Sequence, residues 1–328
     1  MKSILTLLPC VIALSTGVLA GDPDAKPGKI WTDPVEAARE DPDFAVQGEY
    51  AAEGVGVQVV ALGAGSFDAW VHEGGLPGAG ATGPRQAMRG ARKDGRIHFT
   101  DEAGRNRAVI AEGTLRLEWN GRAAMKVARV ERSSPTLGAK PPREAVVLFD
   151  GTDTTAWENG AMADGHLRAT NCTTTRRFTS YKLHLEFRTP YMPSFRGQAR
   201  GNSGIYHSGR WETQILDSFG LEGRDNECGG IYSISKPLRN MCLPPLSWQT
   251  YDVEFTAAKF GDDGKREAWP RITVRLNGEL VHDDLELAKD FTTAAPHSTP
   301  LASPQGPVFI QDHGDPVVFR NVWIVPVP

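Results

Sequence analysis

The 328-residue sequence predicts an all-β protein: two stacked antiparallel sheets, a sandwich or jelly roll, over residues 146–328, preceded by a small antiparallel β domain over residues 30–132. Three observations carry that reading. Apolar and polar residues alternate with period two in segment after segment. Helical periodicity is nearly absent. Two Pro- and Gly-rich spacers, GDPDAKPGK at 21–29 and a second over 133–145 that contains SPTLGAKPP, divide the chain.

Hydrophobic residues make up 40% and charged residues 23%, the balance of a soluble globular chain. A net charge of −4 leaves no basic field for a nucleic-acid backbone or an anionic membrane, so no nucleic-acid partner is expected. Residues 1–20 read as a signal peptide: Lys2, the apolar run ILTLLPCVIAL, then Val18 and Ala20 at the small-residue positions before a cut near Ala20. That run is too short to span a membrane, and no later segment is longer. Pro9 before Cys10 argues against a lipid anchor. The chain is therefore expected to be exported, periplasmic or extracellular. Export permits disulfides, and Cys228 with Cys242 is the expected pair, closing a loop whose entropy is worth roughly 3 kcal/mol. Cys172 is then left as a buried thiol, and the absence of C-x-x-C spacing argues against a cysteine metal site.

In the first segment, DPVEAARED forms a short helix capped by Asp33 with Pro34 in its first turn. The strand-like runs VGVQVVALG, SFDAWVHEG, RIHFTDE, RAVIAEGTLRLEWNG and AAMKVARVER follow, closed by Gly, Asp or Asn turns. GGLPGAGATGP at 74–84 lacks the Lys-Ser/Thr ending of a phosphate loop and reads as an exposed loop. In the second segment, YKLHLEFR turns Tyr181, Leu183, Leu185 and Phe187 inward and Lys182, His184, Glu186 and Arg188 to water. WQTYDVEFTA repeats the pattern with Tyr251, Val253 and Phe255 inward, and RITVRLNGELVHD with Ile272, Val274 and Leu276 ahead of an Asn277-Gly278 hairpin turn.

The densest polar constellation is RGNSGIYHSGRWETQILDSFG, which spaces Glu212, Gln214 and Asp217 as Glu-x-Gln-x-x-Asp. On a regular strand Glu212 and Gln214 share a face, and Asp217 joins them only if a β-bulge intervenes. The spacing resembles the Glu-x-Asp-x-x-Glu of laminarinase-type β-glucanases, with Gln and Asp in place of two of the three acids. In GPVFIQDHGDPVVFRNVWI, Gln311 and His313 project to one face, and Arg320 follows the Gly314-Asp315-Pro316 turn. A histidine can shuttle protons near neutral pH, and an arginine can hold an oxyanion. Trp211, Tyr232 and Trp248 either stack on sugar rings or pack in the core.

Taken together, LFDGTDTTAWE, HLEFRTPYMP, RGQARGNSGIYHSGRWETQILDSFG, CGGIY, PPLSWQTYDVEF and IQDHGDPVVFRNVWI resemble the 3-keto-disaccharide hydrolase domain family, in order over 146–328. The upstream segment resembles the N-terminal region of secreted planctomycete-type members. The resemblance implies a concanavalin-A-like jelly roll acting on glycosides whose glucose ring carries a ketone at C3. Such a ketone acidifies the hydrogen on C2, so that a base can remove it, the enolate can expel the C1 substituent, and water can add to the glycal. That chemistry wants one base with a pKa near the working pH and a donor or cation at the enolate oxygen. By this resemblance Glu212 or His313 is base or acid, with Asp217 added if a bulge brings it in. Arg200, Asn202, Gln214, Tyr232, Gln311 and Arg320 bind the sugar or stabilise the enolate. A divalent metal held by Glu212, Asp217 or His313 could do the same work.

Three functional readings stay open from the sequence: a 3-keto-glycoside hydrolase or lyase, a non-catalytic carbohydrate-binding sandwich, and a surface interaction protein. The first needs Glu212 and His313 within reach of one pocket, the second only aromatics and amides there, the third an exposed apolar patch instead.

Overall fold

The computed structural model describes residues 28–327. The expected signal peptide over 1–20 with its cut near Ala20, Cys10, and all but the end of the 21–29 spacer lie outside the described residues. No helix among the described residues is long and apolar enough to cross a membrane.

The first segment is a closed barrel of eight consecutive antiparallel strands from Gly48–Ala52 to Met125–Val130, the last pairing back onto the first. Closure leaves no free edge to aggregate. Alternation drives it: Phe67, Ala69 and Val71 from one strand and Ile97 and Phe99 from another are buried in the barrel interior. The helix Pro34–Glu40 precedes the barrel, and Asp33 caps it by accepting from the Glu36 amide at 2.8 Å. The loop expected over 74–84 is shorter than the sequence suggested. A 12-residue strand, Thr82–Lys93, begins inside it, and Gly75 and Leu76 are buried rather than exposed. The sequence reading passed over this strand because polar and small residues dominate it, only Met88 being buried.

The second segment is a jelly-roll sandwich. Its smaller sheet runs in the order Trp157–Glu158, Cys172–Thr174, Phe309–Asp312, Ser203–His207, Trp211–Ile215. The larger has eight strands, with Ser180–Arg188 between Val318–Val327 and Gln249–Thr256 at its centre. Between the sheets, Tyr181, Leu183, Leu185 and Phe187 pack with Tyr251, Val253, Phe255, Ile205, Trp211 and Ile310, and Phe187 stacks on Tyr251 at 5.0 Å. The Asn277-Gly278 turn has both residues at positive φ, as a two-residue hairpin requires.

The 133–145 spacer does not stand free. It is a strap across the outer face of the larger sheet, where Ser134 and Thr136 bond the Thr250 hydroxyl and Thr136 donates to Asp252. The Gly138 amide donates to Glu186 at 2.6 Å, and Asn321 Nδ2 donates to the Ala139 carbonyl. His184, Glu186 and Thr250, outward-facing by period and expected to meet water, are buried for this reason. The segment before the helix is joined to the sandwich by a two-way backbone bridge between Trp31 and Tyr191, and the barrel by Arg85 donating to the Leu221 carbonyl and by Arg196 donating to that of Leu62.

The expected Cys228–Cys242 disulfide is not formed. Both are buried free thiols in mutual contact, with Cys228 also against the Tyr251 hydroxyl and Cys242 donating to the carbonyls of Leu216 and Leu243. Spacing brought the two together, and neighbouring acceptors occupy the thiols.

The strap makes Glu186 a testable keystone. Burial opposes its charge, but donors from His184, Asn321, Arg320 and Gly138 outweigh that and hold its carboxyl down at about 2. A depressed folded-state pKa adds stability above the unfolded value, and that stability is lost as pH falls through the folded one. Glu186→Gln is expected to cost roughly 1–3 kcal/mol at pH 7 in urea unfolding, with the deficit shrinking between about pH 4.5 and 2.

Candidate active site

The site is built on a hairpin. Ser203–His207 and Trp211–Ile215 are joined by a turn in which Ser208 and Gly209 both have positive φ and the Arg210 amide bonds the His207 carbonyl. That turn sets a register in which Tyr206 lies opposite Glu212 and Gly204 opposite Gln214. On the other flank, Phe309–Asp312 places Phe309 beside Tyr206 and Gln311 beside Gly204. Ile205, Trp211, Ile215 and Ile310 go to the core, so Gly204, Tyr206, Glu212, Gln214 and Gln311 share the outer face of the smaller sheet.

Gly204 is glycine for a steric reason: a Cβ there would collide with Glu212 Oε1. The carboxyl group lies down over the bare backbone of its neighbour. Its other oxygen accepts from the Tyr206 hydroxyl at 2.8 Å, and Gln311 Nε2 donates to that hydroxyl at 3.2 Å. The segment after the Glu279–Glu286 strand forms a roof. Thr292 Oγ1 accepts the Glu212 amide, the Thr293 carbonyl lies 3.1 Å from the Tyr206 hydroxyl, and Ala295 packs on Tyr206 and Phe309. Glu212 is 2% exposed, and this burial raises its pKa to about 8 against the lowering effect of the Tyr206 hydrogen bond. Burial and the neighbouring Glu212 charge also raise Tyr206, so the phenol keeps its proton. The result is a carboxyl group poised between acid and base near neutral pH.

Toward the far end of the same face, Gln214 Nε2 donates to Gln198 Oε1 at 3.1 Å and Asn202 Nδ2 to the Gln198 carbonyl at 2.8 Å. The Asn202 amide donates to Asp315 Oδ2 at 2.7 Å, while Asn202 Oδ1 is buried without a partner among the described residues. Burial raises the Asp315 carboxyl against the lowering effects of the Asn202 amide and of nearby His313. His313 is exposed in the turn that follows the Gln311 strand. The Tyr232 amide donates to the Glu212 carbonyl, extending the sheet, and the Tyr232 side chain stays half-buried close enough to Tyr206 to affect it.

The expected residues thus divide. Glu212, Gln214, Gln311, Asn202 and Tyr232 come together, with His313 at the rim of the same sheet. Asp217 does not join them. The strand ends at Ile215 without a bulge, and Asp217 is buried in an ion pair with Arg200 Nε at 2.7 Å, beside the barrel residues Val60, Leu62 and Trp70. Arg200 is removed with it. Arg320 lies on the other sheet, bonded to Glu186 at 2.7 Å with its guanidinium 4.0 Å from the Trp248 ring centre. Trp248 is therefore also away from Glu212, and Trp211 is core, its Nε1 bonded to the Lys289 carbonyl. No group of three or more His, Cys, Asp or Glu side chains is gathered in ligand geometry among the described residues, so Glu212, Asp217 and His313 do not form a shared metal site. The sequence reading missed Tyr206, Gly204, Gln198 and Asp315. A signal for the first two was present: a hairpin centred on Ser208-Gly209 pairs 206 with 212 and 204 with 214.

A jelly-roll sandwich with a buried carboxyl group and amides across one sheet face is the scaffold of a glycoside-acting hydrolase or lyase, and the comparisons agree. The chain belongs to the family of 3-keto-alpha-glucoside-1,2-lyase-like domains, which it matches over residues 144–325, more than half of its length. It is similar to a crystal structure from Parabacteroides distasonis, provisionally described as a glycosyl hydrolase, at 31% identity and a TM-score of 0.52, covering 56% of this chain and 84% of that one. A second structure from the same organism with the same description gives 20% identity and a TM-score of 0.42 over 58% and 99%, too distant to bear on function. No curated protein matches.

Two outcomes test this geometry. Because the folded-state pKa of Glu212 is raised, its contribution to stability is complete below about pH 4.5 and is lost as pH rises toward 8. Wild type should therefore lose up to about 1.4 kcal/mol per pH unit across that window relative to Glu212→Gln, measured by urea unfolding at several pH values. Gly204→Ala should displace the Glu212 carboxyl and lower turnover at least tenfold while circular dichroism stays that of a β protein.

Proposed function

We propose that the chain cleaves 3-keto-glycosides by elimination and hydration, with Glu212 as the base. The observation that carries this reading is the buried Glu212 carboxyl group, raised to about 8 and facing a tyrosine hydroxyl and amides. Direct displacement at C1 uses two carboxyl groups flanking the bond. Asp217, the other acid of the sequence cluster, is committed to Arg200 instead.

The reaction begins with the fraction of Glu212 that is ionised, about a tenth at pH 7. Its carboxylate takes the C2 proton, and the electron pair forms the C2–C3 enolate, whose oxygen is met by the second N–H of Gln311 Nε2, the first being bonded to Tyr206. Collapse of the enolate breaks the C1–O bond and sends its pair to the aglycone oxygen, which is protonated by His313 or by water. Water then adds across C1 and C2: its oxygen bonds to C1 while its proton replaces the one that His313 or water gave the aglycone, and Glu212 returns a proton to C2. The sum is hydrolysis to 3-keto-glucose and the free aglycone. We also propose that the protein works outside the cytoplasm, after cleavage near Ala20. N-terminal sequencing of the secreted protein tests that point.

Incubation with 3-keto-trehalose and 3-keto-lactose tests the activity. Release of glucose from both substrates by wild type and its loss in Glu212→Gln are expected, together with a slower rate on substrate deuterated at C2 and deuterium at C2 of product formed in D2O to the extent that the Glu212 proton exchanges before it is returned. Turnover with neither exchange at C2 nor an isotope effect from deuterium at C2 of the substrate would mean displacement, and binding without turnover a carbohydrate-binding module. The rate of wild type should rise with pH to a plateau above about pH 8. Tyr206→Phe, which removes the hydrogen bond that favours the carboxylate, should move that limb to higher pH.

A further inference from the structure

We infer that the outer face of the larger sheet carries a second carbohydrate site, a groove for a neutral oligosaccharide separated from the Glu212 face by the thickness of the sandwich. The groove is about 420 Å3, within the size range of small-molecule clefts. Its position follows from register. Trp323, His184, Asp252 and Arg275 form one row across four strands, and Val325, Lys182, Glu254 and Thr273 form the next. The inward-pointing Leu183 and Val253 contribute to its floor, and Pro142 and Glu144 of the strap form one wall.

The chemistry of these rows suits a sugar. Trp323 supplies an apolar surface for C–H groups, and it is held in place by stacking on His184 at 5.0 Å and by Nε1 donating to the Ala139 carbonyl at 3.4 Å. Around it stand hydroxyl-binding groups of both signs. Asp252 is oriented by His184 at 2.6 Å and by the Thr136 hydroxyl at 2.6 Å, with lone pairs left over. Lys182 and Glu254 form an exposed pair at 3.3 Å, and exposed Arg275 adds a guanidinium. Two cations, Lys182 and Arg275, face three carboxylates, Asp252, Glu254 and Glu144. This balance has no excess positive charge to hold a uronate or sulfated chain, so the occupant is neutral. Both the strap and the His184–Trp323 stack hold the groove open before ligand arrives, which lowers the cost of ordering it.

The test uses the full chain carrying Glu212→Gln, so that binding is read without turnover. Maltotetraose, cellotetraose, laminaritetraose and tetragalacturonate are titrated by calorimetry and by following the Trp323 indole N–H in NMR. At least one neutral tetrasaccharide is expected to bind and shift the Trp323 resonance. Adding Trp323→Ala should weaken that binding at least tenfold and Arg275→Ala several-fold. In the Glu212 background, both variants should leave turnover of a 3-keto-disaccharide unchanged. Arg275 is exposed, so its variant keeps the test valid if Trp323→Ala fails to fold. The inference is overturned if no neutral tetrasaccharide binds, if binding survives both substitutions, or if tetragalacturonate is preferred. Because the readout is binding, it is independent of whether the Glu212 face cleaves 3-keto-glycosides.

Discussion

The Glu212 carboxyl group is withdrawn from water and laid over the backbone of Gly204, and the architecture of the smaller sheet follows from accommodating it. Isolated in an apolar setting, a carboxylate would be costly, so the group shifts its pKa upward and stays neutral over much of the pH range. The Tyr206 hydrogen bond keeps that shift from running further. Each supporting part has a backbone cause. The turn at Ser208-Gly209 fixes the register that brings Tyr206 opposite Glu212, the missing side chain at 204 leaves room, and the Thr292–Ala295 roof holds water away.

The barrel and the strap explain where the other charged groups went. Asp217 continues the chain from the Glu212 strand but leaves the sheet at once and meets Arg200 under the barrel, whose Ala61 carbonyl also lies within reach of that guanidinium. An acid cluster that looks continuous in sequence is split between the roofed outer face of the smaller sheet and the seam between the two β units. In the same way Arg320 is drawn to Glu186, which the strap has buried, and it packs on Trp248 there. Asp217 is thus placed by a buried ion pair, and Arg320 by the cross-strand register that sets it beside Glu186.

Much of the fold was legible because period two is a strong signal where one face is packed. The inward sets of the Tyr181, Tyr251 and Ile272 strands, the Asp33 cap and the Asn277-Gly278 turn all follow from local chemistry. The strand Thr82–Lys93 was not legible, since its side chains are mostly exposed and carry no apolar period. Nor was the strap, whose Pro/Gly/Ser composition marks a linker whether or not its hydroxyls and amides find partners in a sheet. Within the site, strand phase put Gln214 and Gln311 on the face of Glu212. Tyr206 and Gly204 went unread because their roles come from cross-strand pairing, which one strand does not reveal. Asp217 and Arg200 were misplaced because spacing says nothing of which distant charge will capture a side chain, and Arg320 because spacing does not say which sheet its strand joins.

A chemistry based on one carboxyl group stands or falls with the ionisation of that group. The most direct measurement is a carbon NMR titration of the Glu212 side-chain carboxyl in the wild-type protein. A midpoint near 8 is the expected result. A midpoint near 4.5, the ordinary glutamate value, would mean that the carboxyl group is open to water, and the account of this site would be wrong.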